Sequence, residues 1–209
     1  MSKRLAILGA GGHARVVADA AEAAGWTVPG LFDREAPPGD HPWPLLGDAE
    51  ALFARAAEFD GAVVALGDND LRLEWTLKLG ARGLPLATVI HPTAWVSPRA
   101  ELGGGTVILA LAGVGTGARL GRAVIVNTGA SVDHDCALGD GVHVSPGARL
   151  AGGVTVGERS WIGLGAVVRE GLALGKAVRV GAGAAVVEPV ESGQTVVGVP
   201  ARPIGAPGC

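Results

Sequence analysis

Asp133-His134-Asp135 is the one place in this chain where an imidazole stands between two carboxylates. An imidazole accepts a proton near neutral pH, and an adjacent carboxylate fixes its tautomer and makes it a better base. With a backbone N–H nearby to stabilise an oxyanion, such a pair can run acyl transfer without a protein nucleophile. The competing reading is a solvated turn in which His134 bonds only its neighbouring aspartates. Asp133, His134, Asp135 and His143 fit neither common zinc spacing, so no metal is expected. Cys136 follows directly, but it falls where side chains should point inward, and a buried thiol is inert.

A second chemical feature lies near the N-terminus, in Gly9-Ala10-Gly11-Gly12-His13-Ala14. It follows the apolar run Leu5–Leu8 and precedes an alanine-rich helical pattern, with Asp33 about twenty residues on. That is the G-x-G-x-x-A form of the dinucleotide fingerprint, in which glycines allow close approach to phosphate and the helix N-terminus offers free N–H groups. A dinucleotide needs two mononucleotide-binding halves, and only one is present here. A single nucleotide diphosphate fits better, with Asp33 and Arg34 near its ribose or base. The bland alternative is a glycine turn used only for tight strand–helix packing.

The elements that must position these groups are of two kinds. Strands are expected at Leu5–Leu8, Val28–Phe32, Gly61–Leu66 and Leu86–Ile90, and helices at Ala14–Ala24, Ala49–Ala57 and Leu71–Arg82, with Asp48 as a cap. This alternation implies a small parallel sheet with helices on both faces. Pro37–Pro44 reads as a surface loop whose Trp43 covers the domain edge or touches a ligand, and His41 and His91 read as solvated or structural.

From Ile90 to Val186 an aliphatic residue returns at every sixth position, seventeen times in succession. Neither a helix nor a lone strand has that period. Six residues fit one short strand and one turn, and three such sides make the eighteen-residue coil of a parallel β-helix. Between five and six coils would rise about 27 Å at the ~4.8 Å strand spacing. Eight of the residues directly after the aliphatic are glycine, which suits a corner. Around Asn127, Asp133, Ser145 and Ala151 that glycine is lost, and departures from local consistency are expected at functional sites. Gly152, eighteen residues after His134, belongs one coil away on the same edge. His143, nine after, belongs elsewhere on the prism, so the two histidines would meet only between subunits of a cyclic oligomer.

The 209 residues are 48% hydrophobic and 18% charged, with a net charge of −3 and no Lys/Arg cluster. Nucleic acid is therefore not an expected partner. The absence of a long apolar run or a signal-peptide pattern gives the expectation of a cytoplasmic protein away from membranes. Two cysteines make no disulfide framework, and Cys209 has no assigned role.

Five segments, Gly9–Ala14, Gly67–Arg72, Asn127–Cys136, His143–Gly147 and the closing Gly198–Ile204, resemble the left-handed β-helix acyltransferases with hexapeptide repeats. Within these the chain is similar to the nucleotide-sugar N-acetyltransferases and sialic-acid O-acetyltransferases of bacterial glycan pathways. The resemblance implies a left-handed coil, while the residue pattern itself divides the chain into an α/β half-Rossmann-like domain over 1–89, the β-helix over 90–187, and an extended tail over 188–209. The resemblance also implies a homotrimer with acetyl-CoA in the groove between adjacent prisms and a UDP-linked 4-amino sugar on the N-terminal domain. By the same resemblance His134 is the general base, Asp135 raises its basicity, and Gly152 supplies an N–H to the carbonyl. His143, Leu164 and Ala182 would line the CoA site together with Gly152, and Gly11, Gly12, His13, Asp33, Arg34 and Gly67 the nucleotide-sugar pocket. The chain departs from the family pattern in having Asp135 where glutamate is frequent, and Arg34 where a second carboxylate follows Asp33. Acylation of a hydroxyl on the same scaffold, an NAD-dependent oxidoreductase, and a non-catalytic scaffold or sugar sensor are the rival readings.

Overall fold

The structure, a computed structural model, describes residues 2–35 and 42–205. Residues 37–41 of the expected proline loop, His41 among them, and Cys209 lie outside the described residues.

The N-terminal part is built on β1 (Leu5–Leu8), α1 (Gly12–Ala23), β2 (Leu31–Phe32), α2 (Ala49–Ala54), β3 (Gly61–Val64) and α3 (Asn69–Ala81). The strands form a parallel sheet in the order β2-β1-β3, with Ile7 opposite Leu31 and Leu5 opposite Gly61. That is one mononucleotide-binding half. Helix α1 buries Ala14, Val17, Ala18 and Ala21, a stripe of small residues at helical spacing. Asp48 caps α2 by accepting from Ala51 N at 3.0 Å, and Asp68 caps α3 by accepting from Leu71 N at 2.9 Å. The second cap starts α3 two residues before the expected Leu71. Helix α2 is shorter than expected and passes into a 3-10 turn over Ala56–Glu58.

The expected fourth strand, Leu86–Ile90, divides in two. Leu86 makes a single parallel bridge to Ala62, while Val89–Ile90 pairs with Val107–Ile108. The small sheet therefore has three strands, and its last expected residues are the first of the β-helix. The apolar run hides this hand-over because both partners want the same side chains. Ala87, Val89, Val107 and Leu109 share one buried cluster with β1 and α1.

The rest of the chain is a three-faced parallel prism. On one face Ile108, Val126, Val144, Ile162 and Val180 pair in sequence, each eighteen residues from the last. The second face stacks Val96, Val114, Val132, Leu150, Val168 and Val186, and the third Leu102, Leu120, Leu138, Val156 and Leu174. The inward residues between them, Ala112, Ala118, Val124, Ala130, Cys136, Val142 and Ala148, are buried in the same column. Burial raises the Cys136 thiol above its ordinary range, and its Sγ donates to Ala151 O at 3.2 Å. It is a packing residue.

The tail does not leave the coil as expected. Val190 bridges Leu174, and Thr195–Val197 pairs parallel with the strand containing Val180. These partners are sixteen residues apart instead of eighteen, so a shortened turn destroys the six-residue register while Val190 and Val196 stay buried. Arg202–Ile204 then folds back antiparallel on Thr195–Val197 and covers that strand's edge.

Two glycine series serve two purposes. A Cβ on Gly139, directly after its aliphatic residue, would lie 2.6 Å from Glu158 N of the next coil. Two positions later, in the hexads from Leu102 to Val180, the backbone enters the left-handed region, as at Gly165, with φ +63 and nothing within 4 Å of a built Cβ. Only the first series was anticipated.

Arg72 joins the two parts. Its side chain is fully buried and makes no ion pair with a carboxylate among the described residues. Nε donates to Ala123 O at 2.9 Å, one terminal nitrogen to Leu66 O at 3.1 Å, and the other to Asn69 Oδ1 and Gly141 O, both at 2.8 Å. Asn69 in turn donates to Arg159 O and Ser160 O, each at 3.1 Å. Charge-assisted bonds of this kind hold the β3–α3 turn against successive coils.

Gly139→Ala forces backbone apart between coils, whereas Gly165→Ala meets only the left-handed penalty of about 1–2 kcal/mol. Chemical denaturation should therefore show Gly139→Ala to be the more destabilising by a clear margin; equal losses would contradict the stacking argument.

Candidate active site

His134 stands on a corner of the prism, its side chain 58% exposed. Its Nδ1 lies 2.9 Å from Asp135 Oδ2, and its backbone N donates to Asp133 Oδ1 at 2.7 Å. The hydrogen bond to Asp135 first, and the charge of Asp133 second, raise the His134 pKa above its ordinary value. The Asp135 backbone is left-handed, φ 59, as it is at the same position of the neighbouring hexads, a region that aspartate enters more readily than most residues.

Glycines of neighbouring coils make room for this pair. A Cβ on Gly152 would fall on His134 Nε2, and one on Gly117 would fall on Asp135 Oδ1. The stacking arithmetic thus holds, since Gly152 lies against the ring eighteen residues away. Ala151 N donates to Val168 O and Gly153 N to His134 O. The Gly152 N–H between them makes no hydrogen bond among the described residues, so it is free to meet a developing negative charge beside the imidazole.

His143 is on a different face, in the strand that pairs with Ile125 and Trp161. It stacks on Trp161, ring centroids 5.9 Å apart, accepts at Nε2 from Asn127 Nδ2 across 3.1 Å, and lies 6.4 Å from the His13 ring. Burial first, then the Arg72 charge, lower the His13 pKa to about 4 and that of His143 to about 3. Each has one buried ring nitrogen without a partner. The two are brought together by the docking of α1 on the prism, which spacing alone did not reveal.

The other expected residues are spread over three clefts. Asp33 and Arg34 line a cavity of about 340 Å³ with Gly9. Asp33 also accepts from Ala10 N at 2.9 Å, so its carboxylate holds the glycine turn. Gly11 is the N-cap of α1, and Gly12 opens on a shallow groove with Arg15 and Trp43. Gly67 lies in a crevice with Asn69, Arg159 and Arg179. Leu164 and Ala182 are exposed on a corner other than that of His134. Trp43 is buried with its indole N–H on Glu22, 3.0 Å away, and so covers the domain edge.

The family described as PglD N-terminal domain matches residues 4–79. The acetyltransferase domain of PglB from Neisseria gonorrhoeae FA1090, in complex with acetyl coenzyme A, is 41% identical with a TM-score of 0.93. That match covers 98% of this chain and 100% of the other. The chain belongs to the β-helical sugar acetyltransferases. A mutant of GDP-perosamine N-acetyl transferase from Caulobacter crescentus, in complex with CoA and GDP-perosamine, is 39% identical with a TM-score of 0.93, covering 97% of both chains. WeeI from Acinetobacter baumannii AYE shares the fold at 23% identity, TM-score 0.84, covering 96% of this chain and 99% of the other. No curated protein sequence gives a significant match. The prism of this acetyltransferase is the left-handed parallel β-helix of its family, and the chain is an acyltransferase.

Sequence reading of this acetyltransferase missed Arg72, Asn69 and Gly117. The signal for Arg72 was available: with Thr76 and Leu79 it lies at helical spacing on the buried side of α3. Gly117 is eighteen residues before Asp135, the same arithmetic that found Gly152.

Replacing Asp135 with Asn removes the principal cause of the raised His134 pKa. An NMR titration of the imidazole should show its midpoint fall toward the ordinary value of ~6.5. An unchanged midpoint would mean that the 2.9 Å contact does not govern the ring.

Proposed function

We propose that this acyltransferase moves an acetyl group from acetyl-CoA to the amine of a nucleotide-activated 4-amino sugar. The observation that carries the reading is the His134–Asp135 pair against the free N–H of Gly152. Relatives at 39–41% identity, solved with acetyl-CoA or with CoA and GDP-perosamine, support acetyl-CoA as the donor and an amino sugar as the acceptor. The description of the Caulobacter crescentus relative as an N-acetyl transferase favours the amine over the hydroxyl.

The amine lone pair attacks the thioester carbonyl, and the Gly152 N–H takes the developing oxyanion. His134 Nε2, set opposite the Nδ1 that Asp135 engages, accepts the proton of the attacking nitrogen. As the C–S bond breaks, the sulfur of CoA leaves and takes that proton from the imidazolium. No covalent intermediate on the protein is needed.

His134 and Gly152 occupy one corner, while Leu164 and Ala182 occupy another and His143 a face. A single CoA touching all of them has to run between two copies of the prism, which is the reason for keeping a homotrimer with sites between subunits. The nucleotide sugar then rests on the N-terminal domain, its diphosphate at Gly11 and Gly12 and its sugar directed past His13 toward the prism. Asp33 and Arg34 lie toward its ribose and base, and Gly67 flanks the path to the prism. Among the described residues no helix is long and apolar enough to cross a membrane, and no group of three or more His, Cys, Asp or Glu side chains could hold a metal. A cytoplasmic location goes with use of acetyl-CoA. The uridine expected from the resemblance has to be weighed against the GDP-perosamine of the relatives.

Thiol release from acetyl-CoA in the presence of a nucleotide 4-amino sugar tests the reading. His134→Ala should lower kcat about 10²–10⁴-fold while acetyl-CoA still binds, and Gly152→Ala should also lose rate because its methyl displaces the ring. The base works only when unprotonated, so kcat/KM should fall as pH drops through a His134 pKa above the ordinary value. Asp135→Asn should move that acid limb to lower pH. Full activity in His134→Ala would sink the mechanism.

A further inference from the structure

The cavity of about 340 Å³ lies at the C-terminal ends of β1, β2 and β3 and is closed by the start of α2 and by α3. No prism residue lines it. If the diphosphate sits at the N-terminus of α1, as the proposed function has it, the base falls here, at the usual place for a ligand on an open α/β sheet. Leu8, Leu66, Leu71 and Trp75 give it apolar walls.

Four charged residues line this cavity, and two are committed to backbone. Asp33 accepts from Ala10 N at 2.9 Å and Arg34 N at 2.7 Å, and Asp48 accepts from Ala51 N at 3.0 Å. The Arg34 guanidinium and the Glu50 carboxylate make no hydrogen bond or ion pair among the described residues, including with each other. One is a donor fork and the other accepts only. Guanine presents O6 and N7 as paired acceptors and N1–H with N2–H₂ as paired donors, so it satisfies both at once. Uracil offers a single N–H between two carbonyls and would set a carbonyl against the carboxylate.

We propose that this cavity selects a guanosine-linked over a uridine-linked sugar, with Glu50 accepting from N1–H and N2–H₂ and Arg34 donating to O6 and N7. This rests on the nucleotide-sugar reading and replaces the uridine implied by family resemblance. Bidentate recognition of this kind is what separates one base from another in other contexts.

The test is binding of GDP, UDP and IDP to the full chain by calorimetry, with acetyl-CoA as a control. The wild type should bind GDP about tenfold or more tighter than UDP, and also tighter than IDP, which lacks only the N2 amino group. In Glu50→Gln the ratio of GDP to IDP affinity should collapse toward one with the melting point unchanged, since Glu50 is exposed. Arg34→Ala should weaken GDP and IDP alike. UDP binding as tight as GDP overturns the proposal while leaving acetyl transfer intact, and a GDP-to-IDP ratio that survives Glu50→Gln overturns the role of Glu50. If acetyl-CoA binds and none of the three nucleotides does, the nucleotide-sugar reading falls and this assignment with it.

Discussion

On the corner that carries Gly103, Gly121, Gly139, Gly157 and Gly175, coils stacked at the spacing of adjacent β-strands leave no room for a side chain. This constraint decides where chemistry can be placed on the molecule. At Gly139 the next coil's backbone fills the space a Cβ would need, so that corner carries nothing. At His134 the relation is inverted: the corner bears a ring, and the neighbouring corners at Gly152 and Gly117 give up their side chains to accommodate His134 and Asp135. The pair is therefore held between rigid backbone on two sides while its outer edge stays in solvent. A base that must meet a separately bound substrate benefits from that arrangement, since its geometry costs no reorganisation when the substrate arrives.

The second constraint is Arg72. A guanidinium buried without a carboxylate is tolerable only when its donors are satisfied. Here they are satisfied by carbonyls of Leu66, Ala123 and Gly141 and by the amide of Asn69, some from the nucleotide-binding half and some from two successive coils. Burial lowers its pKa to about 10, which leaves it charged at neutral pH. Its partners lie on both sides of the junction, so the bonds are lost if the N-terminal domain shifts on the prism. The position of Gly67 against the prism is set by the same contacts, and with it the span that the proposed nucleotide sugar would cover.

The prism was readable because its period is forced: each coil repeats the same burial, so the aliphatic column from Ile90 to Val186 declares itself. Residues eighteen apart then found the His134–Gly152 contact without coordinates. What stayed hidden shares a physical cause, a residue whose partner is chosen by three-dimensional docking. The run Leu86–Ile90 looks like one strand because both of its sheets bury the same side chains. The coil closing at Val190 and Val196 was read as a tail because two residues fewer in a turn erase the register but not the pairing. His13 and His143 are far apart in sequence, and only the packing of α1 on the prism puts their rings 6.4 Å apart.

That packing also divides the labour among the histidines. His13 and His143 are desolvated next to the positive charge of Arg72, and both effects disfavour an imidazolium. With pKa values of about 4 and 3 they remain neutral at physiological pH and are poor proton acceptors, and the lone pair of His143 Nε2 is already taken by Asn127. His134 has the opposite surroundings, exposure to water and two carboxylates, and both aspartates favour its charged form. The three imidazoles are chemically identical in sequence. Their surroundings leave two neutral and suit the third to the proton transfer proposed for it, and of these three His134 is the one beside the Gly152 N–H, which has no partner among the described residues.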